Sequence, residues 1–199
     1  MGIYLYLVRH GQTEANAGNF HAGYTDSPLT ALGREQAAAS APILADIPFD
    51  TVFSSDLCRA KDTCAIMLPD KTPILRTDLR EVNAGELEMQ HRVAARERYG
   101  DVHLNATKLY DYSAFGGETY AAFSGRVISF LEEVATGDYG KHVAAFCHGG
   151  IIEAAVRYVL KCADQRPPMA VTNCSVTLLY FNGEKWTVRN FNCVPTLPR

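Results

Sequence analysis

The sequence predicts a three-layer α/β/α sandwich with a mostly parallel central sheet. Three observations predict it. Short apolar runs alternate with amphipathic stretches along the chain. The runs Ile3–Val8 and Val143–Cys147 are continuously apolar, as in strands buried on both faces. The last two apolar runs flank Asn182-Gly183, a hairpin signal that places an antiparallel edge on the sheet.

Each element has its own warrant. Strands are expected at Ile3–Val8, Thr51–Phe53, Ile74–Arg76, Val143–Cys147, Val176–Phe181 and Trp186–Phe191. A helix over Thr30–Ala45 is Ala-rich and follows Pro28-Leu29, with Thr30 as its cap. A second, over Asp56–Met67, follows Ser54-Ser55, a further cap signal. Two more, Glu118–Ala135 and Ile151–Lys161, follow the pairs Gly116-Gly117 and Gly149-Gly150. Residues 83–115 break the rhythm and are expected to form a short helical cap insertion in one domain spanning residues 1–199.

Composition excludes several classes. A net charge of −3 over 199 residues argues against general nucleic-acid binding. No window is apolar for long enough to cross a membrane. No basic segment or cleavage site surrounds the first apolar run. The six cysteines lack CxxC spacing and fall in apolar segments, so they read as reduced packing residues of a cytoplasmic protein. Cys147 alone draws notice, because His148 follows it. The pattern contains neither a carboxylate cluster nor an HxxxH helix, so no metal and no cofactor are expected.

In open α/β sheets ligands bind beyond the carboxyl ends of the strands. That rim collects Arg9, His10 and Gly11 after strand one and Arg59 after strand two. Glu81 follows strand three, and His148, Gly149 and Gly150 follow strand four. Taken singly, each is an ordinary residue; together they suit phosphoryl transfer. Arginines bind phosphoryl oxygens in a fork. A neutral imidazole can attack phosphorus, and a carboxylic acid can protonate the departing alkoxide. Asn16 offers an amide donor, and the helix after Gly149 offers backbone N–H groups.

LVRHGQTEAN resembles the signature of the histidine phosphatase superfamily, the phosphoglycerate-mutase-like family. YTDSPLTALGREQA, VFSSDLCRAKDTC, LREVNAGELE, GGETYAAFSGRV and VAAFCHGGIIEA resemble its further segments in the family's order. The resemblance implies that His10 becomes phosphohistidine. It implies that Arg9, Arg59 and His148 hold the phosphoryl oxygens with support from Asn16, and that Glu81 is the proton donor. The implied activity is metal-independent hydrolysis of a small phosphorylated metabolite by a monomer or homodimer. The short insertion favours hydrolysis over mutase-type transfer, because a mutase must exclude water from its intermediate. A non-catalytic phosphate-binding module is the reading from another class; inactive relatives would be expected to have lost one of these residues.

The insertion is expected to set specificity. Arg92, Arg96, Arg98 and Lys108 either read a second anionic group or form a solvated face. Tyr99, Tyr110, Tyr112 and Phe115 either line the pocket mouth or pack the cap. Phe20, His21 and Tyr24 are placed near the leaving group. Two departures from the family pattern stand out. Leu87 and Glu88-Met89 occupy the places of an aromatic residue and Glu-Gly, and Thr196-Leu197 replaces a His-Leu pair.

Overall fold

Alternating apolar runs and amphipathic segments fold as the pattern demands. A computed structural model describes residues 2–162 and 169–195; Thr196-Leu197 lies outside them. Six strands form one sheet: β1 (Ile3–Arg9), β2 (Thr51–Ser55), β3 (Ile74–Arg76), β4 (His142–Cys147), β5 (Val176–Phe181) and β6 (Trp186–Cys193). Their order is β3-β2-β4-β1-β5-β6. The pairs β1·β4, β2·β4 and β2·β3 are parallel, and β5 joins antiparallel to both β1 and β6. The Asn182-Gly183 hairpin thus makes β6 an edge, as expected.

The helices are α1 (Glu14–Ala17), α2 (Ala31–Ser40), α3 (Cys58–Met67), α4 (Arg92–Tyr99), α5 (Asp101–Leu109), α6 (Tyr120–Thr136) and α7 (Gly149–Val159). Two buried apolar clusters lie on the two faces of the sheet. Leu5, Leu7, Phe53, Phe130 and Ile151 belong to one, and Val8, Leu44, Ala144 and Phe146 to the other. Adjacent residues of β1 and β4 point into opposite clusters, which is why these strands are apolar without alternation. No helix among the described residues is long and apolar enough to cross a membrane.

The cap signals differ in outcome. Thr30 caps α2 by accepting from the Gly33 N–H at 3.0 Å, and Thr119 caps α6 the same way at 3.1 Å. Ser54 and Ser55 do not cap α3: they are the buried end of β2, and the helix starts at Cys58. Asp26, from a distant loop, accepts from the Cys58 N–H at 2.8 Å instead. The pair Gly149-Gly150 lies inside the first turn of α7 rather than before it.

Gly11 is required by close packing. A Cβ there would lie 2.4 Å from the Gly33 carbonyl oxygen, and one on Gly33 would lie 2.0 Å from that of Gln12. The loop after β1 therefore rests directly on the first turn of α2.

Candidate active site

Arg9, His10, Asn16, His21, Arg59, Glu81 and Gly149 line one cavity of about 200 Å³ beyond the carboxyl ends of β1, β2 and β4. The His10 backbone N–H continues the ladder to the Cys147 carbonyl at 3.0 Å, which holds the residue level with the end of β4. The His10 ring is buried, and its Nδ1 lies 2.7 Å from the Gly11 carbonyl oxygen. A carbonyl can only accept, so Nδ1 carries the proton and the Nε2 lone pair is free to act. Burial, then the charges of Arg59 and Arg9, hold the ring far below the usual histidine range. A neutral, singly protonated imidazole results.

Arg59 is almost fully buried, with three fixed partners. Its Nη1 donates to the Thr25 carbonyl at 3.0 Å and Nη2 to that of Gly23 at 2.7 Å. Its Nε donates to His148 Nδ1 at 3.2 Å. Arg9 donates to the Val171 carbonyl, while its buried Nε has no partner among the described residues. The first turn of α7 lies beside it: a Cβ on Gly149 would be in ordinary contact with Arg9 Nε, at 3.5 Å. Among the described residues neither Arg9, Arg59 nor Arg92 is ion-paired with a carboxylate. Arg76, Arg80, Arg126 and Arg157 all are. Arg59 is buried, Arg9 is partly buried and Arg92 is exposed. Buried positive charge without a counterion is expensive, so Arg59 and Arg9 beside one neutral histidine suit an anion.

Asn16 completes this side. In a reciprocal cap of α1, Asn16 Oδ1 accepts from the Thr13 N–H at 3.2 Å, which leaves its amide nitrogen to donate into the cavity. Opposite stands Glu81. Its Oε1 accepts from the Val82 N–H at 2.9 Å and its Oε2 from the Gly150 N–H at 3.1 Å.

Two expected residues sit outside the cavity wall. His148 is fully buried beneath it, with Nδ1 on Arg59 and Nε2 3.0 Å from Ser55 Oγ. Its ring centroid is 5.1 Å from that of His10. Tyr24 turns away, and its ring lies 5.1 Å from the Arg80 guanidinium. In the cap, Arg92, Tyr110 and Tyr112 reach the cavity. Arg96 instead binds the Gly100 carbonyl, Arg98 lies over Tyr99, and Lys108 is exposed away from the cavity. Tyr99 packs edge-on against Phe115, and Phe20 against His91. Cys147 is fully buried and its thiol is pushed up strongly by burial, so it is inert packing.

Two residues that hold the site, Glu88 and Arg126, lie in segments that resemble the family's, but their roles are not legible in the sequence. Glu88 gathers the Tyr24 N–H at 2.8 Å, the Thr25 N–H at 2.8 Å, the Thr25 hydroxyl at 2.7 Å and the Ala84 N–H at 3.3 Å. It thereby fixes the loop whose carbonyls hold Arg59. Glu88→Gln loses acceptor capacity here, and kcat is expected to fall about tenfold, by one or two hydrogen bonds' worth of positioning. Steady-state kinetics well below the melting temperature check this. Arg126 gathers the carbonyls of Asp78, Arg80 and Glu81 at 2.6–2.9 Å and pairs with Glu118, which fixes the segment carrying Glu81. Met89, where the family has glycine, adopts φ +59°.

His21 Nε2 and His103 Nε2 lie 2.8 Å apart, a buried bond between the loop after β1 and α5. Burial, with help from the Arg92 charge, pulls His21 down to about 3 and lowers His103. His10 and His148 are lowered as well. Histidines kept neutral in the fold take up protons more readily in the unfolded chain. Their stabilisation is therefore complete above the unfolded value near 6.5 and is lost as pH falls below it, down to about 3 for His21. Urea unfolding at a series of pH values should show stability flat above pH 7 and falling between about 6.5 and 5, before carboxylates titrate. A flat profile through that window would contradict the neutral arrangement.

Comparison with known proteins places the chain in a family. The sequence profile of the histidine phosphatase superfamily (branch 1) matches residues 5–194, and the chain belongs to that superfamily. It is 38% identical to a 2,3-bisphosphoglycerate-dependent phosphoglycerate mutase of Rhizobium etli, over 75% of this chain and 77% of that one. It is 34% identical to a glucosyl-3-phosphoglycerate phosphatase of Mycolicibacterium vanbaalenii, over 78% and 73% of the two chains. The crystal structure of the alpha-ribazole phosphatase from Shigella flexneri superposes with a TM-score of 0.85 at 26% identity, covering 96% of each chain.

Proposed function

We propose that this protein hydrolyses phosphomonoesters through a phosphohistidine at His10, without a metal ion. The observation that carries the reading is the neutral His10, with Nδ1 tied to Gly11, set among arginines that have no carboxylate partner among the described residues. The phosphoryl oxygens bind Arg9, Arg59 and Asn16, and the cations that stabilise the transferring group are guanidinium ions. His10 Nε2 forms a bond to phosphorus as the ester P–O bond breaks. Glu81 gives its proton to the departing alkoxide. Water then attacks the phosphohistidine, Glu81 accepts a water proton, the N–P bond breaks, and phosphate leaves with His10 neutral again. His148 backs Arg59 from below. The substrate is a small phosphorylated metabolite, with Arg92 at the mouth as a contact for its leaving group.

Purified protein should release p-nitrophenol from p-nitrophenyl phosphate in excess EDTA between about pH 5 and 7.5. Absence of turnover there overturns the reading. The name of the Rhizobium relative favours mutase-type transfer as the second reading. That reading wins if 3-phosphoglycerate, given its bisphosphate, isomerises faster than it is hydrolysed.

A further inference from the structure

One wall of the cavity is not used by the phosphoryl chemistry. Glu153 stands on α7, one helical turn after Gly149, and lines the cavity. Its Oε1 accepts from the Tyr110 hydroxyl at 3.0 Å, and its Oε2 from Arg157 Nη2 at 3.0 Å. A carboxylate oxygen accepts two hydrogen bonds, and among the described residues each of these receives one. The side chain is 13% exposed and lines the cavity, and its carboxylate keeps acceptor capacity beyond these two bonds. Burial raises the Glu153 carboxyl, while the Tyr110 hydroxyl and Arg157 oppose that shift.

Tyr110 is held against its own backbone preference. It follows α5 with φ +52°, a left-handed conformation disfavoured for any residue with a side chain. Its ring stacks on Phe123 with centroids 5.9 Å apart and planes 8° from parallel, and the Arg157 guanidinium lies 5.8 Å from the ring centre. This packing aims the hydroxyl at Glu153. This strained residue, fixed by its surroundings, stands at the cavity wall.

We propose that Glu153 and Tyr110 form a leaving-group subsite that accepts hydrogen bonds from hydroxyl groups, so that the substrate is the phosphomonoester of a sugar or another polyol. The proposal rests on the hydrolase reading above. The subsite offers only acceptors, because the Tyr110 proton is already committed to Glu153. A phosphoryl group is repelled from it and goes to Arg9 and Arg59. A carboxylate on this side of the leaving group is repelled too, whereas hydroxyls fill the open lone pairs. A site built to bond hydroxyls discriminates strongly against an analogue that lacks them.

Binding to His10→Ala protein, which cannot form the phosphoenzyme, tests the subsite apart from turnover. Calorimetry would compare glycerol 1-phosphate, ribose 5-phosphate and glucose 6-phosphate with phenyl phosphate. At least one polyol ester should bind more tightly than phenyl phosphate. Adding Glu153→Gln should lower that affinity ratio about tenfold, and adding Tyr110→Phe should lower it about threefold. Reading the ratio cancels the general gain for any dianion when the Glu153 charge is removed. If Glu153→Gln does not fold, the Tyr110→Phe ratio decides. The proposal is overturned if no polyol ester binds better than phenyl phosphate, or if both classes change by the same factor. Failure of the unmodified protein to hydrolyse p-nitrophenyl phosphate would count against hydrolysis alone.

Discussion

Replacing His10 with alanine is expected to lower kcat/KM for any phosphomonoester by about 10⁴-fold or more, since the attacking atom is removed. Among the described residues the ring makes one hydrogen bond, to Gly11, and one ring contact, edge-on with His148. The variant should therefore stay folded, with a melting temperature within a few degrees of the parent. Loss of activity with retained folding separates a chemical role from a structural one. The His10→Ala protein should also still bind phosphate, because Arg9, Arg59 and Asn16 remain in place. Retained turnover in this variant would sink the mechanism.

Arg59→Ala should cost activity on a similar scale, about 10³-fold, comparable to removing an arginine that stabilises a transferring phosphoryl group. The stability signature should differ. Arg59 donates to the buried Gly23 carbonyl, the partly buried Thr25 carbonyl and His148. Leaving buried acceptors without donors costs about 1–3 kcal/mol each. Relief from an uncompensated buried charge offsets part of this. A net destabilisation of about 1–3 kcal/mol is expected by urea unfolding. Arg59→Lys should not restore activity, because an ammonium cannot span Thr25, Gly23 and a phosphoryl oxygen at once. A lysine variant within tenfold of the parent would show that charge alone suffices and that the fork geometry described here is immaterial.

The rim of the sheet was legible in the sequence because topology does most of the work. Strand ends are marked by apolar runs, and a mostly parallel sheet brings those ends together. Arg9, His10, Arg59 and Glu81 could therefore be gathered without knowing a single contact. His148 was placed at the right strand end but not at the right depth: a strand end says nothing of which way a ring turns, and this ring turns down to Ser55 and Arg59. The supporting residues lie in segments that resemble the family's, but their roles were not legible for a different reason. Glu88 acts on residues 63–64 positions away, and Arg126 on carbonyls 45–48 positions away. Contacts at such separation have no periodicity from which to read a role. Ser54-Ser55 misled because the same residues that favour helix caps also tolerate a buried strand end, and Asp26 took over the cap from afar. The cap insertion was seen as helical, yet which of its cations face the cavity depends on how α4 and α5 are turned over the sheet, which the sequence does not state. Only Arg92 of the four reaches the cavity.

In the proposed mechanism phosphorus is bonded to His10 during turnover. Rapid quenching of the protein in alkali during hydrolysis of a ³²P-labelled phosphomonoester tests it most directly. Label should remain on the chain in alkali, be lost in acid, and be absent from the His10→Ala protein. Turnover with no trapped label, or label that survives acid or persists in that variant, would contradict it.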